Sequence, residues 1–126
     1  MGNGINLSVV MYSYLNRPVF DIFLNKEDLG ASGPYGSTGI ITGAQIPFGP
    51  QTLSWRIDGP PGTPNNGDTV HVRNVLTVRA EQILSKTRYL GLHIYPDYTA
   101  EIVLCDDMPD RTVRGEKILK DAGIDD

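Results

Sequence analysis

The sequence predicts an all-β fold, a single-domain antiparallel β-sandwich or open barrel with a short C-terminal helix. Three observations carry this expectation. Apolar and polar residues alternate in one short segment after another, the period of a half-buried strand. Connections rich in proline and glycine separate those segments. Nowhere does a strand pattern alternate with a helical one, as a βαβ unit would require. A chain of 126 residues supplies one core rather than two, so residues 1–126 are read as one domain. Hydrophobic content of 40% and charged content of 21% are globular values.

Taken in order, Ile5, Leu7, Val9 and Met11 alternate with Asn6, Ser8, Val10 and Tyr12, giving a first strand that Leu15 to Pro18 closes. Val19 to Leu24 resumes the pattern, with Phe20, Ile22 and Leu24 expected inward and Asp21 and Phe23 outward, so residues 5–24 are expected to form an opening hairpin. Asn25 to Gly39 is glycine-rich and poor in apolar residues, which predicts a loop. Ile40 to Ile46 and Gln51 to Ile57 are the next two strands, separated by the turn Pro47-Phe48-Gly49-Pro50. Trp55, between Leu53 and Ile57 on the apolar face, is a core anchor.

Asp58 to Asp68 holds three prolines and three glycines and is expected to be a long exposed connection. Val70 and Val72 start a strand that continues toward Leu76 and Val78, with a break near Asn74, which would otherwise face inward. Ala80 to Lys86 suits a helical turn. Arg88 to Cys105 is the most informative stretch: Leu90, Leu92 and Ile94 alternate with polar and aromatic residues, Pro96 and Asp97 turn the chain, and Ala100, Ile102 and Leu104 return on one side. This is a hairpin whose second face carries Tyr89, His93, Tyr95, Thr99 and Glu101. A polar connection over Asp106 to Arg114 leads to a short helix over Gly115 to Ala122, ended by Gly123.

Several function classes are disfavoured by these residues. The net charge is −4 and the 11 basic residues are scattered, which removes the electrostatic footprint of nucleic-acid binding. No apolar run approaches the roughly 20 residues that cross a bilayer. The start, MGNGINLSVV, lacks a basic segment before an apolar one, so no signal peptide is expected within this chain. The only cysteine, Cys105, allows no internal disulfide and reads as a small buried hydrophobe. No Gly-x-Ser-x-Gly elbow occurs, and Gly33, Gly36 and Gly39 stand outside any βαβ unit, so neither a hydrolase nucleophile nor a dinucleotide fingerprint is present. His71 and His93 lie on different strands and form no short metal-ligand motif; a shared site would need those strands to be neighbours, with Asp97 or Glu101 adding oxygen ligands, and hydrogen-bonded or exposed histidines are expected instead, while Asp106 and Asp107 read as capping or solvated acids. No cofactor, metal or catalytic residue is expected, and the chain is read as a non-enzyme.

What remains is a surface. Tyr12 and Tyr89 are expected to belong to a second half of the core, while His93 and Tyr95 are expected at an interface, where aromatic residues bury large area at low entropy cost. The contact residues expected from exposure and composition are Tyr35 in the glycine loop, Asp58, Asn65, Asn66 and Asp68 in the proline loop, and His93, Tyr95, Asp97 and Tyr98 around the hairpin turn.

With those stretches identified, SWRIDGPPGTPNNGDTV at Ser54 to Val70 and RYLGLHIYPDYTAEI at Arg88 to Ile102 resemble small exported bacterial lipoproteins found beside type VI secretion effectors, some of which look like immunity proteins against lipase effectors. The resemblance implies a periplasmic, lipid-anchored β domain that binds a cognate secreted lipase effector and blocks its active-site entrance or lid. Its front departs from that pattern, since neither a signal segment nor a lipid-modified cysteine stands there; a lipid anchor is expected only in a longer native precursor. An acidic surface favours a basic partner face. The alternative expectation is a periplasmic ligand- or glycan-binding module with no enzyme partner.

Overall fold

The structure is a computed structural model and describes residues 3–124. It is mostly β. The strands are β1 (Gly4–Ser13), β2 (Val19–Leu24), β3 (Glu27–Ser32), β4 (Ser37–Pro47), β5 (Gly49–Gln51), β6 (Leu53–Ile57), β7 (Thr69–His71), β8 (Leu76–Val78), β9 (Tyr89–Ile94) and β10 (Ala100–Cys105), followed by helix α1 (Val113–Asp121). One sheet has the order β10-β9-β1-β4, the other β3-β2-β6-β7, and β5 and β8 form a small ribbon. Leu7, Val9 and Met11 of β1 and Leu90, Leu92 and Ile94 of β9 meet Ile22, Leu24, Leu53, Trp55 and Ile57 of the opposite sheet in one core. This is the expected sandwich, with Trp55 fully buried.

Three local expectations are corrected. Residues 5–24 do not form a hairpin: β1 lies between β4 and β9 in one sheet, and β2 lies between β3 and β6 in the other. The pairing of β1 with β9 is parallel, Ser8 opposite Tyr89 through Ser13 opposite Ile94, so the first sheet is mixed. Residues 25–39 are not one loop. Asn25 takes a left-handed conformation (φ 57°) in the tight turn that lets Glu27–Ser32 pair back on β2, and only Leu29 and Ser32 of that edge strand are buried. An edge strand tolerates such polarity because one of its sides stays open.

The glycines at 39 and 43 belong to strand β4, where each sits at a shift of register against β1 with φ of 78° and 70°. Each is the extra residue of a bulge that only glycine adopts without strain. A bulge at Asp21 (φ 46°) likewise turns Val19 inward and leaves Phe20 half-buried under the Arg56 guanidinium, 4.8 Å from its ring centre, so Phe20 does not join Ile22 and Leu24 in the core.

Other expectations match. β9 and β10 form the antiparallel hairpin. The strand pattern breaks between β7 and β8, and Asn74 uses the break: its carboxamide donates to Ala100 O and accepts from Ala100 N, both at 2.8 Å, replacing a missing strand neighbour at the edge of β10. The mid-chain helical segment is a 3-10 turn over Ala80–Gln82.

Helix α1 begins with a Thr112 side chain that accepts from Gly115 N at 3.0 Å, the N-cap arrangement. It ends where Gly123 (φ 76°) donates to Lys120 O and Ile124 donates to Leu119 O, the paired bonds of a Schellman motif. The helix lies so close to the first sheet that a methyl group on Gly115 would overlap the Tyr14 ring. Gly115→Ala is therefore expected to cost about 1–3 kcal/mol through overpacking. Hydrogen exchange is the direct check: α1 amides lose protection while those of β1 and β9 keep theirs. Unchanged protection in α1 would contradict this packing.

Candidate functional site

The second face of the first sheet, turned away from the main core, holds a ladder of aromatic rings. The parallel register sets Tyr12 opposite His93, and Tyr14 N donates to Ile94 O one step on. Residues two apart on a strand share a face, so Tyr12, His93, Tyr14 and Tyr95 stack in that order with ring centres 5.4, 5.9 and 5.3 Å apart. The segment before α1 and the helix itself cover the ladder. Tyr12 donates to Pro109 O at 2.8 Å, and Leu119 packs with Tyr14 and Tyr95 in a second small core. Arg111 and Arg114 lie over the rings of Tyr12 and Tyr95, at 4.9 and 3.9 Å.

Polar groups in the ladder are joined to one another. Tyr14 and His93 Nδ1 share a hydrogen bond of 2.9 Å. Tyr95 donates to Glu101 at 2.8 Å; its oxygen is 2.7 Å from the Thr112 hydroxyl, which therefore donates to it. Burial disfavours the charged forms of His93, Tyr95 and Tyr14. It lowers the His93 pKa from 6.5 to about 4, against the opposing pull of the Glu101 carboxylate, and pushes Tyr95 up to about 12. Tyr14 is raised by the same cause. His93 Nε2 is buried with no hydrogen-bond partner, 3.3 Å from where a side chain at Gly91 would begin.

The expectation that His93 and Tyr95 are partner-facing is thus corrected: both are 1% exposed. Tyr14, at 0%, is buried with them, whereas Tyr12 and Tyr89 are only half-buried. The reason is α1, whose inward face is marked in the sequence only by Gly115, Ile118 and Leu119. His71 is exposed on the other sheet, so the two histidines share no site. Among the described residues, no group of three His, Cys, Asp or Glu side chains is placed to hold a metal ion. Burial pushes the Cys105 thiol up, with the nearby acidic residues adding to the effect.

The other expected residues collect at one end of the sandwich. The Asp58–Asp68 loop is exposed yet tightly held. Arg17 donates from Nε to Asp58 O at 2.7 Å and from Nη2 to Pro64 O and Asn66 Oδ1 at 3.0 and 2.9 Å. Asn66 donates in turn to Gly59 O and Pro60 O, and Arg56 holds Gly67 O at 3.0 Å. Asn65 takes the left-handed turn (φ 66°) that lets Asp68 N reach Asn65 O.

Arg17 also lines a neighbouring open cleft of about 280 Å³ with Asn16, Tyr35, Pro96, Tyr98 and Ile118. Tyr35 and Tyr98 are both in the left-handed region, at φ 54° and 66°, which costs a bulky residue on the order of 1–3 kcal/mol. The surroundings hold them there. Tyr35 N donates to Leu15 O and its carbonyl accepts from Arg111, while Tyr98 meets Trp55 edge-on at 5.9 Å. Asp97 sits beside them, paired with Arg114 at 3.1 Å and held below the usual carboxylate range by hydrogen bonds from Thr99.

Tyr35, Tyr98, Asp97 and the loop residues Asp58, Asn65, Asn66 and Asp68 therefore form one neighbourhood. Arg17, which organises it, and Arg111, which braces it, carry no sequence signal beyond their residue type. Among the described residues, no helix is long and apolar enough to cross a membrane. Comparison with family models, curated proteins and solved structures returned no match.

Proposed function

We propose that this chain is an immunity protein that binds a type VI secretion (phospho)lipase effector in the periplasm and neutralises it by covering its active-site entrance or lid. The observation that supports this reading best is the pre-ordered end of the sandwich. Arg17 holds an exposed Pro/Gly loop and lines the cleft with Tyr35 and Tyr98. A contact surface already fixed in one shape loses little entropy on binding, and tyrosines are common anchors of such surfaces. The native precursor is proposed to carry a lipid anchor that keeps the domain where the effector arrives.

The test titrates the lipase effector that this reading expects from a neighbouring gene, purified, with the chain and follows ester hydrolysis. Stoichiometric loss of hydrolysis is expected; undiminished hydrolysis at saturating chain overturns the proposal. Replacing Tyr35 and Tyr98 together by alanine is expected to weaken the complex by roughly 30-fold or more, the scale of a hot spot worth about 2 kcal/mol. Calorimetric titration of the folded double variant measures it.

The cleft supports a second reading, a ligand- or glycan-binding module, since tyrosines flank an opening of about 280 Å³. Thermal stabilisation by a sugar in the absence of any protein partner would favour it over the first.

A further inference from the structure

The Asp58–Asp68 loop contains an Asn-Gly pair, Asn66 and Gly67. Glycine has no Cβ to shield its amide nitrogen. When the pair is free, that nitrogen loses its proton and attacks the asparagine carboxamide carbon. A bond forms from Gly67 N to Asn66 Cγ, ammonia leaves, and a five-membered succinimide results. Water opens the ring at either carbonyl to give aspartate or isoaspartate. The balance is asparagine plus water to acid plus ammonia, with nothing oxidised or reduced.

The fold restrains both reacting groups. The Asn66 carboxamide is held at each end, its oxygen accepting from Arg17 Nη2 at 2.9 Å and its nitrogen donating to Gly59 O and Pro60 O at 3.2 and 3.1 Å. The Gly67 N–H that must be deprotonated donates to Ile57 O at 2.7 Å. We propose that Asn66 is a latent deamidation site, kept unreacted by this clamp, and that its conversion irreversibly dismantles the loop. An aspartate at 66 keeps the bond from Arg17 but turns a carboxylate oxygen toward the Gly59 and Pro60 carbonyls with no hydrogen to donate. An isoaspartate lengthens the backbone just before Gly67 and moves its N–H away from Ile57 O. The chemistry is independent of what the loop binds.

The experiment incubates the full chain, folded and in denaturant, and follows residue 66 by peptide mapping with mass spectrometry. Asn3-Gly4 in the same digest is the reference and is expected to match Asn66-Gly67 in denaturant. Conversion of Asn66 in the folded chain is expected to be at least about tenfold slower than in denaturant, a factor equal to ~1.4 kcal/mol of local opening. Arg17→Ala is expected to bring the folded rate to within a few-fold of the denatured one, and Arg17→Lys, which keeps the charge without the fork, to an intermediate value. Equal rates in the folded and denatured wild type overturn the proposal. So does an unchanged rate in whichever Arg17 variant keeps the wild-type circular dichroism. Asn66→Asp tests the second half: loss of hydrogen-exchange protection at Gly67 and Asp68 is expected, and retained protection overturns it.

Discussion

Replacing Trp55 by alanine is expected to destabilise the fold by about 3–5 kcal/mol, measured by denaturant unfolding. Trp55 is the bulkiest fully buried side chain, on the central strand β6 facing the first sheet. Its truncation leaves a cavity that strands on both sides resist closing. The same side chain braces Tyr98, whose left-handed backbone persists only under support from its surroundings. The alanine variant should therefore also raise exchange at the β9–β10 turn and weaken whatever the cleft binds. Trp55→Phe separates packing from polarity. The indole N–H is buried without a partner, a burden of about 1–3 kcal/mol that phenylalanine does not carry. The phenylalanine variant is expected to lose less than half as much as the alanine one; equal losses would show that the indole nitrogen is not a burden.

The second large effect is with pH. His93 has a pKa of about 4 in the folded chain against an ordinary 6.5, so between those values the unfolded chain binds a proton that the folded one does not. Stability is fully present above pH 6.5 and falls as pH drops through the window, by on the order of 3 kcal/mol at pH 4. Asp97, held below 3.8, loses its own contribution only at lower pH. Denaturant midpoints taken across the window should decline in the wild type and flatten in His93→Phe, which keeps a ring in the stack. A decline unchanged in that variant would assign the acid sensitivity elsewhere. At the alkaline end the sign reverses: Tyr95, with a pKa raised from 10.0 to about 12, loses its contribution as pH rises through that interval.

What could be read from the sequence was local. The β9–β10 hairpin announces itself by alternation on both arms and a Pro-Asp turn between them. Gly123 marks the end of α1 through its left-handed turn, and Asn74 marks a break because a carboxamide on an inward position needs its own backbone partners. What escaped was non-local or disguised. Nothing in residues 5–13 states that they will lie beside residues 89–94 running the same way. Gly39 looks like a loop residue because a bulge needs the same left-handed conformation as a turn. The candidate site divides along the same line. Composition and exposure pointed to Tyr35, Tyr98 and the proline loop, but His93 and Tyr95 were assigned to the surface because the helix that covers them lies outside the hairpin.

The placement of β1 at the centre of its sheet has a consequence in time. Synthesis delivers this strand well before its neighbour β9, so the first sheet stays without β9 and β10 until about eighty further residues have emerged, the gap between Gly4–Ser13 and Tyr89–Ile94. Pairings between distant residues carry a loop-closure cost before they stabilise anything, which places sandwich-like folds in the millisecond-to-second range. Until then Leu7 to Met11, a β-prone apolar run, has an unpartnered edge of the kind that captures other strands. Pairing with β9, made long after β1, is what puts that edge out of reach.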